Sequence, residues 1–521
     1  MEDSEDFQNP VQDPKSETGS VRQGVIKNSF YNVLATLIAK AGGLVFTIIL
    51  ARLLLPELFG VYNLVLSIAM IAITFTDLGI SKALVRYTSE ALGKNQRTKA
   101  RTYIRYLFKA RITLIIIVVF LIIVSAKFFS ENIFNKPEIF LPLLFSGFYI
   151  LMKSFEGLVR NIFVIVKDLQ KITFIQTSLQ FFRIVFAVLA ILLITDERFV
   201  VPGVFVALGI AVFFSIITGL FFLKENRDLV FSSRKYLKSF EEIDTGRIWN
   251  YIGLASIATV SLSFFGSIDT IMLGAFVDAE FLGFYRAALG LVVTIAGIFA
   301  FSPVLLPLFT QAKNKQLQRG FDEIFRYLSI ITIPATIGVL VVAKYFILAV
   351  YGSEYLSAAI PLYALAFTII IKPFTVLYSS LFESKEKVGF LAGAIVVSLI
   401  SNIILNYALI VYLLQYSQEF AILGAALATV LSRGFYLLII QTRAKTYLKI
   451  KTPLRCIFKP LLSALIMTGA LVGFSSLVDM NLFYGILEIL LGIIVYFGCL
   501  FLLGGLRKQD IEDFKSVLKK K

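Results

Sequence analysis

The chain has no histidine, two cysteines and one tryptophan in 521 residues. Without imidazole it lacks the usual near-neutral proton shuttle, His-ligated metal centres and Ser-His catalysis. Cys456, at an expected loop edge, and Cys499, inside the last expected helix, suggest neither a disulfide framework nor a cysteine metal site. A phosphate-binding loop is missing as well. The only Gly-Lys pair, Gly93-Lys94, has no glycine five residues before it and no Ser or Thr after it. Chemistry that depends on a bound metal, a cofactor or ATP hydrolysis is therefore not expected, and we expect neither metal nor cofactor.

What remains is mostly apolar. Hydrophobic residues make up 58% of the chain and mean hydropathy is +0.84, outside the usual range for soluble domains. A bilayer-crossing helix needs about 20 mainly apolar residues, and such runs recur at 28–51, 61–81, 112–130, 139–165, 172–194, 200–223, 248–274, 283–308, 327–350, 358–382, 389–414, 421–441, 460–478 and 483–504. The expected fold is an all-α polytopic membrane protein with about fourteen spans. Residues 1–23 carry acidic side chains and prolines and bury little, so a disordered acidic tail is expected there and no cleaved signal peptide.

Basic residues set the orientation, since Lys and Arg are retained on the cytoplasmic side. With the N-terminus inside, 38 of the 50 Lys and Arg fall in cytoplasmic segments, five on the opposite face and seven within spans. Both termini are expected to be cytoplasmic and the chain to sit in the plasma membrane. Net charge of +16 raises nucleic acid as a partner, but basic residues beside apolar spans serve topology and anionic headgroups, so none is expected.

The halves repeat at an offset near 220 residues. Glu57-Leu-Phe-Gly60-Val-Tyr62 aligns with Glu280-Phe-Leu-Gly283-Phe-Tyr285; Ala126-Lys127-Phe128 and Pro142 with Ala343-Lys344-Tyr345 and Pro361; and Lys153, Phe155, Leu158 and Phe163 with Lys372, Phe374, Leu377 and Phe382. Six spans separate the copies, so both halves keep one orientation, a parallel repeat with substrate sites between the lobes. The expected organisation is the tail 1–23, an N-lobe 24–223, a cytoplasmic linker 224–247, a C-lobe 248–441, a basic loop 442–459, two extra helices in 460–504 and a charged tail 505–521.

Ala51-Arg52-Leu-Leu-Leu-Pro56-Glu57-Leu-Phe-Gly60-Val-Tyr62, then Asp77-Leu-Gly79 and Arg86-Tyr87, resembles the opening of the polysaccharide-biosynthesis flippases of the multidrug/oligosaccharidyl-lipid/polysaccharide exporter superfamily. Asp269 to Gly274, Gly283-Phe-Tyr285, Asn402 through Asn406-Tyr-Ala-Leu and Gly424-Ala-Ala426 continue the likeness, which covers roughly 22–445. The resemblance implies a V-shaped pair of six-helix lobes that passes a lipid-linked oligosaccharide to the outer leaflet. It also implies glycan-assembly enzymes as partners. In related lipid-linked peptidoglycan-precursor flippases, extra helices like the last two here form a groove for the lipid tail.

Ionisable groups inside a bilayer are functional candidates because isolation there costs a few kcal/mol or more. Lys40, Lys153, Arg160, Arg183, Arg286, Lys372 and Arg433 lie within expected spans, against the acidic Asp77, Glu156, Asp269 and Glu488. A net positive interior suits a pyrophosphate headgroup, which charge-assisted donors and bidentate arginines recognise. The cavity candidates are Lys40, Arg52, Lys153, Arg183, Arg286 and Lys372, with Lys153 and Lys372 as the repeat-related central pair. Asp77, Glu156 and Asp269 are candidates for a coupling ion, H+ or Na+. Structural explanations stand beside these. Lys153, Glu156 and Arg160 stack on one helical face and can neutralise one another, while Arg160, Asp77 and Arg433 lie close enough to span ends to snorkel. Prolines 303, 307, 334, 361 and 373 are expected to kink their helices.

Two other functions compete: a gradient-driven multidrug or organic-ion antiporter of the same superfamily, and a membrane-embedded glycan polymerase or glycosyltransferase. The first favours an acidic, aromatic cavity. The second needs catalytic groups on a sizeable external loop, and the longest expected outer loop spans only 127–138. The expectation is a transporter and not an enzyme.

Overall fold

The computed structural model describes residues 14–223, 242–300, 302–311, 314–477, 482–506 and 510. Residues 1–13 of the expected tail, most of the linker 224–247 and most of the tail 505–521 lie outside them. Among the described residues the regular structure is entirely helical. The N-terminal half holds α1 (Pro14–Asp77), α2 (Ile80–Gly93), α3 (Arg97–Phe128), α4 (Phe140–Ile165), α5 (Leu169–Leu193) and α6 (Glu197–Leu223). The second half holds α7 (Thr245–Phe276), α8 (Ala279–Phe299), α9 (Ser302–Gln311), α10 (Asn314–Tyr351), α11 (Ala359–Leu365), α12 (Thr368–Ser384), α13 (Val388–Leu414) and α14 (Gln418–Tyr447). The pair α15 (Arg455–Leu477) and α16 (Leu482–Leu502) follows.

Eleven of the described helices are long and apolar enough to cross a membrane, or twelve if the bent pair α11–α12 is one span. Fourteen spans were expected. The two arms of α1, on either side of a kink, carry the first two expected spans and are counted together, and the last helix meets the apolar test only over Leu487–Leu502. α1 also starts at Pro14, inside the stretch expected to be disordered. Its two arms meet at Leu55, whose φ of 59° breaks the helix in front of Pro56. A second break, at Leu78 and Gly79 (φ 40° and 75°), separates α1 from α2. The 43° bend between α11 and α12 lies between the expected kink residues Pro361 and Pro373.

Lipid-facing and packed surfaces separate by periodicity. On α3, Ile116, Phe120 and Val124 recur every fourth residue, and each is about 60% exposed. Where helices must approach closely, small residues appear. Gly424 faces the Leu409 carbonyl where α14 packs on α13, and Ala425, Ala426 and Ala428 around it are fully buried.

Contacts between the lobes occur at both ends. At the end formed by the α1 bend and the α7–α8 turn, the two copies of the repeated motif meet. A Cβ on Gly60 would overlap the Ala279 carbonyl, and one on Gly283 would overlap the Pro56 carbonyl. Arg52 donates to the carbonyls of Ala349 and Val350, both at 2.7 Å, which caps the C-terminus of α10. Nearby, the Tyr355 hydroxyl donates to the Ala51 carbonyl (2.8 Å) and Lys136 to that of Gly274 (2.7 Å). Burial lowers the pKa of Lys136. At the other end Trp249 Nε1 donates to the Tyr106 hydroxyl (2.8 Å), Ser256 donates to the Leu78 carbonyl (2.6 Å), and Arg86 stacks over the Tyr251 ring.

Candidate functional site

Two cavities, of about 420 and 470 Å³, adjoin between the lobes. The first is lined by Tyr62 and Ser67 of α1, Tyr149 of α4, Arg183 of α5 and Ser263 and Ser267 of α7. The second is lined by Lys372 and Thr375 of α12 and Arg433 and Tyr436 of α14. Leu262, Gly266 and Arg286 line both, so the spaces share a wall and Arg286 stands between them.

Neutral groups hold these cations in place. Arg286 Nε donates to Asn63 Oδ1 across the lobe boundary (3.0 Å), and Nη1 donates to Thr270 Oγ1 (3.3 Å). Lys372 Nζ reaches the Val293 carbonyl at 3.3 Å, and Lys40 Nζ reaches that of Gly297. Those carbonyls are one turn apart on α8, so the ammonium groups of α1 and α12 dock on the same helix face. Arg183 stacks on Phe46, 4.1 Å from the ring centroid. Among the described residues none of Lys40, Arg183, Arg286, Lys372 and Arg433 forms an ion pair. Arg183, Arg286, Lys372 and Arg433 thus line the two cavities with no ion pair among the described residues; Lys40 lines neither cavity but docks on α8 beside Lys372, and Asp269 on α7 lies near enough to act electrostatically on Arg286. Uncompensated charge in a poorly hydrated setting is unfavourable and favours uptake of an anion.

The remaining candidates lie elsewhere. Lys153 lines neither cavity; its ammonium pairs with Glu156 at 2.9 Å, one turn along α4. The repeat-related pair therefore separates, for a local reason. Three residues after Lys153 stands Glu156, whereas three after Lys372 stands Thr375, so Lys372 has no carboxylate on its own turn. Arg52 lies at the α1 bend as a helix cap and lines neither cavity. Asp77 lies 3.3 Å from Arg111, a residue the sequence did not single out; Arg111 also donates to Ser81. Lys153→Ala is expected to leave the nearly inaccessible Glu156 carboxylate without its ammonium. It should lower stability by roughly 2 kcal/mol, read as a fall in melting temperature that Lys153→Arg largely prevents.

Asp269 differs from the other acidic candidates. It is buried on α7 and accepts from Thr429 Oγ1 (2.6 Å), Asn406 Nδ2 (2.7 Å) and the Tyr285 hydroxyl (3.2 Å). Asn402 joins through Ser432 (2.9 Å), and the amide oxygens of Asn402 and Asn406 are buried with no donor. Four helices thus converge on a carboxylate that makes no ion pair among the described residues, with two spare oxygen acceptors beside it. The set can hold a small cation or a proton. Sequence reading set Arg433 aside as a snorkelling residue, yet it lines the second cavity. It stands one turn beyond Thr429, on the same helix that supplies this node.

α15 and α16 pack against α10 and with it line a third cavity of about 460 Å³, almost wholly apolar, which includes Pro334, Gly338, Met467, Gly492 and Tyr496.

The helical architecture recurs among solved membrane proteins. By structure the chain is similar to "Lipid II flippase MurJ, inward closed conformation", with a TM-score of 0.67 over 90% of this chain and 97% of that one at 16% identity. A multidrug resistance MATE family transporter of the MOP superfamily, in an inward-facing conformation, follows with a TM-score of 0.55 over 82% and 96% at 13% identity. By sequence it is 28% identical to the "Probable low-salt glycan biosynthesis flippase Agl15" of Haloferax volcanii over 49% of this chain and 52% of that one, so the match spans about half of each. Residues 25–313 match the family described as "Polysaccharide biosynthesis protein", and the chain belongs to that family.

Proposed function

We propose that this protein is a flippase that carries a lipid-linked oligosaccharide from the cytoplasmic to the outer leaflet of the plasma membrane, for assembly of cell-surface polysaccharide or glycoprotein. The observation that carries the reading is the set of four cations, Arg183, Arg286, Lys372 and Arg433, that line the adjoining cavities with no ion pair among the described residues. A pyrophosphate linkage supplies the complementary charge and accepts bidentate donation from arginine. A cationic drug would meet repulsion at the same place. The two lobes alternate access to the cavity, both termini are cytoplasmic, and the apolar cavity beside α15 and α16 takes the lipid tail. Asp269, with the oxygens of Asn402, Asn406 and Thr429, binds the coupling ion, a proton or Na+. The protein performs no chemistry on its cargo and hands it to glycan-assembly enzymes.

Deleting the gene should trap the lipid-linked oligosaccharide on the cytoplasmic leaflet. Protection of that glycan from an externally added glycosidase in right-side-out vesicles measures this. Equal accessibility in deletion and parent strains would count against the proposal.

A further inference from the structure

Cargo binding does not explain why Glu-x-x-Gly-x-Tyr occurs in both halves. In space the two copies seat on one another. Gly60 receives the Ala279 carbonyl and Gly283 receives the Pro56 carbonyl. Pro56 and Gly60 are four residues apart, as are Ala279 and Gly283. Each helix therefore offers one carbonyl and, a turn later, one bare backbone, and the contact is two-fold. Because the obstacle in each seat is backbone, no side chain larger than hydrogen fits unless the lobes part.

The register continues inward. Three residues beyond each glycine stand Asn63 and Arg286, joined by the 3.0 Å bond across the lobe boundary. That bond lies between the glycine seats and the cavities that Arg286 lines.

We propose that the paired glycine seat is a clasp that shuts this end of the molecule, and that Asn63 is a positioning residue coupling the clasp to the cavity. An anionic group that takes the Arg286 donors competes with Asn63 and loosens the clasp. The coupling rests on the anionic-cargo reading, whereas the clasp itself does not.

The test is spin-label distance measurement on the full chain with Cys456→Ser and Cys499→Ser. One label pair, at Glu131 and Gln415, spans the clasp end; a second, at Lys94 and Lys387, spans the opposite end. Gly60→Leu and Gly283→Leu are each expected to move most molecules to a longer Glu131–Gln415 separation while the protein stays monodisperse. The milder Gly60→Ala should do so in part. An unchanged clasp-end distribution in all three, with the opposite end also unchanged, would overturn the clasp.

For the coupling, a polyprenyl pyrophosphate without sugar is the probe. Adding it should raise the open population of the unmodified protein. Asn63→Ala should lower, and Asn63→Asp should raise, the half-effective probe concentration by about tenfold, the worth of one charge-assisted hydrogen bond. These opposite shifts separate positioning from simple damage. Equal behaviour of the two variants, or no response to the probe, would overturn the coupling. If the leucine variants open the clasp while the probe has no effect, the clasp stands and the anionic-cargo reading falls.

Discussion

Arg286→Ala is expected to slow translocation of a lipid-linked oligosaccharide in proteoliposomes by about 10- to 100-fold, with expression and melting temperature little changed. Arg286 is the one charged side chain shared by the two cavities, and its bonds run to the neutral groups Asn63 and Thr270. A charge-assisted hydrogen bond contributes about 1.5–3 kcal/mol, which sets the size of the effect. Among the described residues Arg286 forms no ion pair, so its removal breaks no salt bridge and the fold should tolerate the loss. Arg286→Lys keeps the charge but not the planar fork, and should fall between the two. A fully active alanine variant would remove Arg286 from the cargo path.

Asp269→Asn is expected to leave a folded protein whose transport no longer responds to an imposed proton or sodium gradient. Asparagine preserves the shape and one acceptor for Thr429, Asn406 and Tyr285, but carries no charge to hold a cation or a titratable proton. Asp269→Ala should be worse in a different way. It strands three buried partners and should cost roughly 2–5 kcal/mol, seen as a large fall in melting temperature. Transport by the two variants and the parent, with and without each gradient, separates coupling from stability. A gradient response unchanged in Asp269→Asn would show that the coupling ion binds elsewhere.

The legible part of this protein was whatever depends on the bilayer as solvent. Apolar runs follow from the energetics of lipid, and they marked most of the membrane-crossing helices. Less legible was which intramembrane charges are free. Lys153 and Lys372 occupy matching positions, but Glu156 sits one turn from the first and Thr375 one turn from the second, and that difference sends only Lys372 to the cavity. Arg433 looks from sequence like a residue near a span end, because position along a helix does not tell which way its side chain faces a neighbouring lobe. Arg111 and Asp77 illustrate the converse: a pair from different helices that no sequence spacing reveals. The repeated glycines were visible as a pattern, yet their role depends on a carbonyl more than 200 residues away meeting each of them.

The central claim is that the cavity passes an anionic, pyrophosphate-linked glycan lipid. The most direct measurement compares transbilayer rates, in the same proteoliposomes, of a polyprenyl-pyrophosphate-linked oligosaccharide and of a cationic dye. The account predicts acceleration of the first, abolished by Arg183→Glu with Lys372→Glu, and no acceleration of the second. Acceleration of the dye alone, or glycan-lipid movement undiminished by the charge reversals, would contradict it.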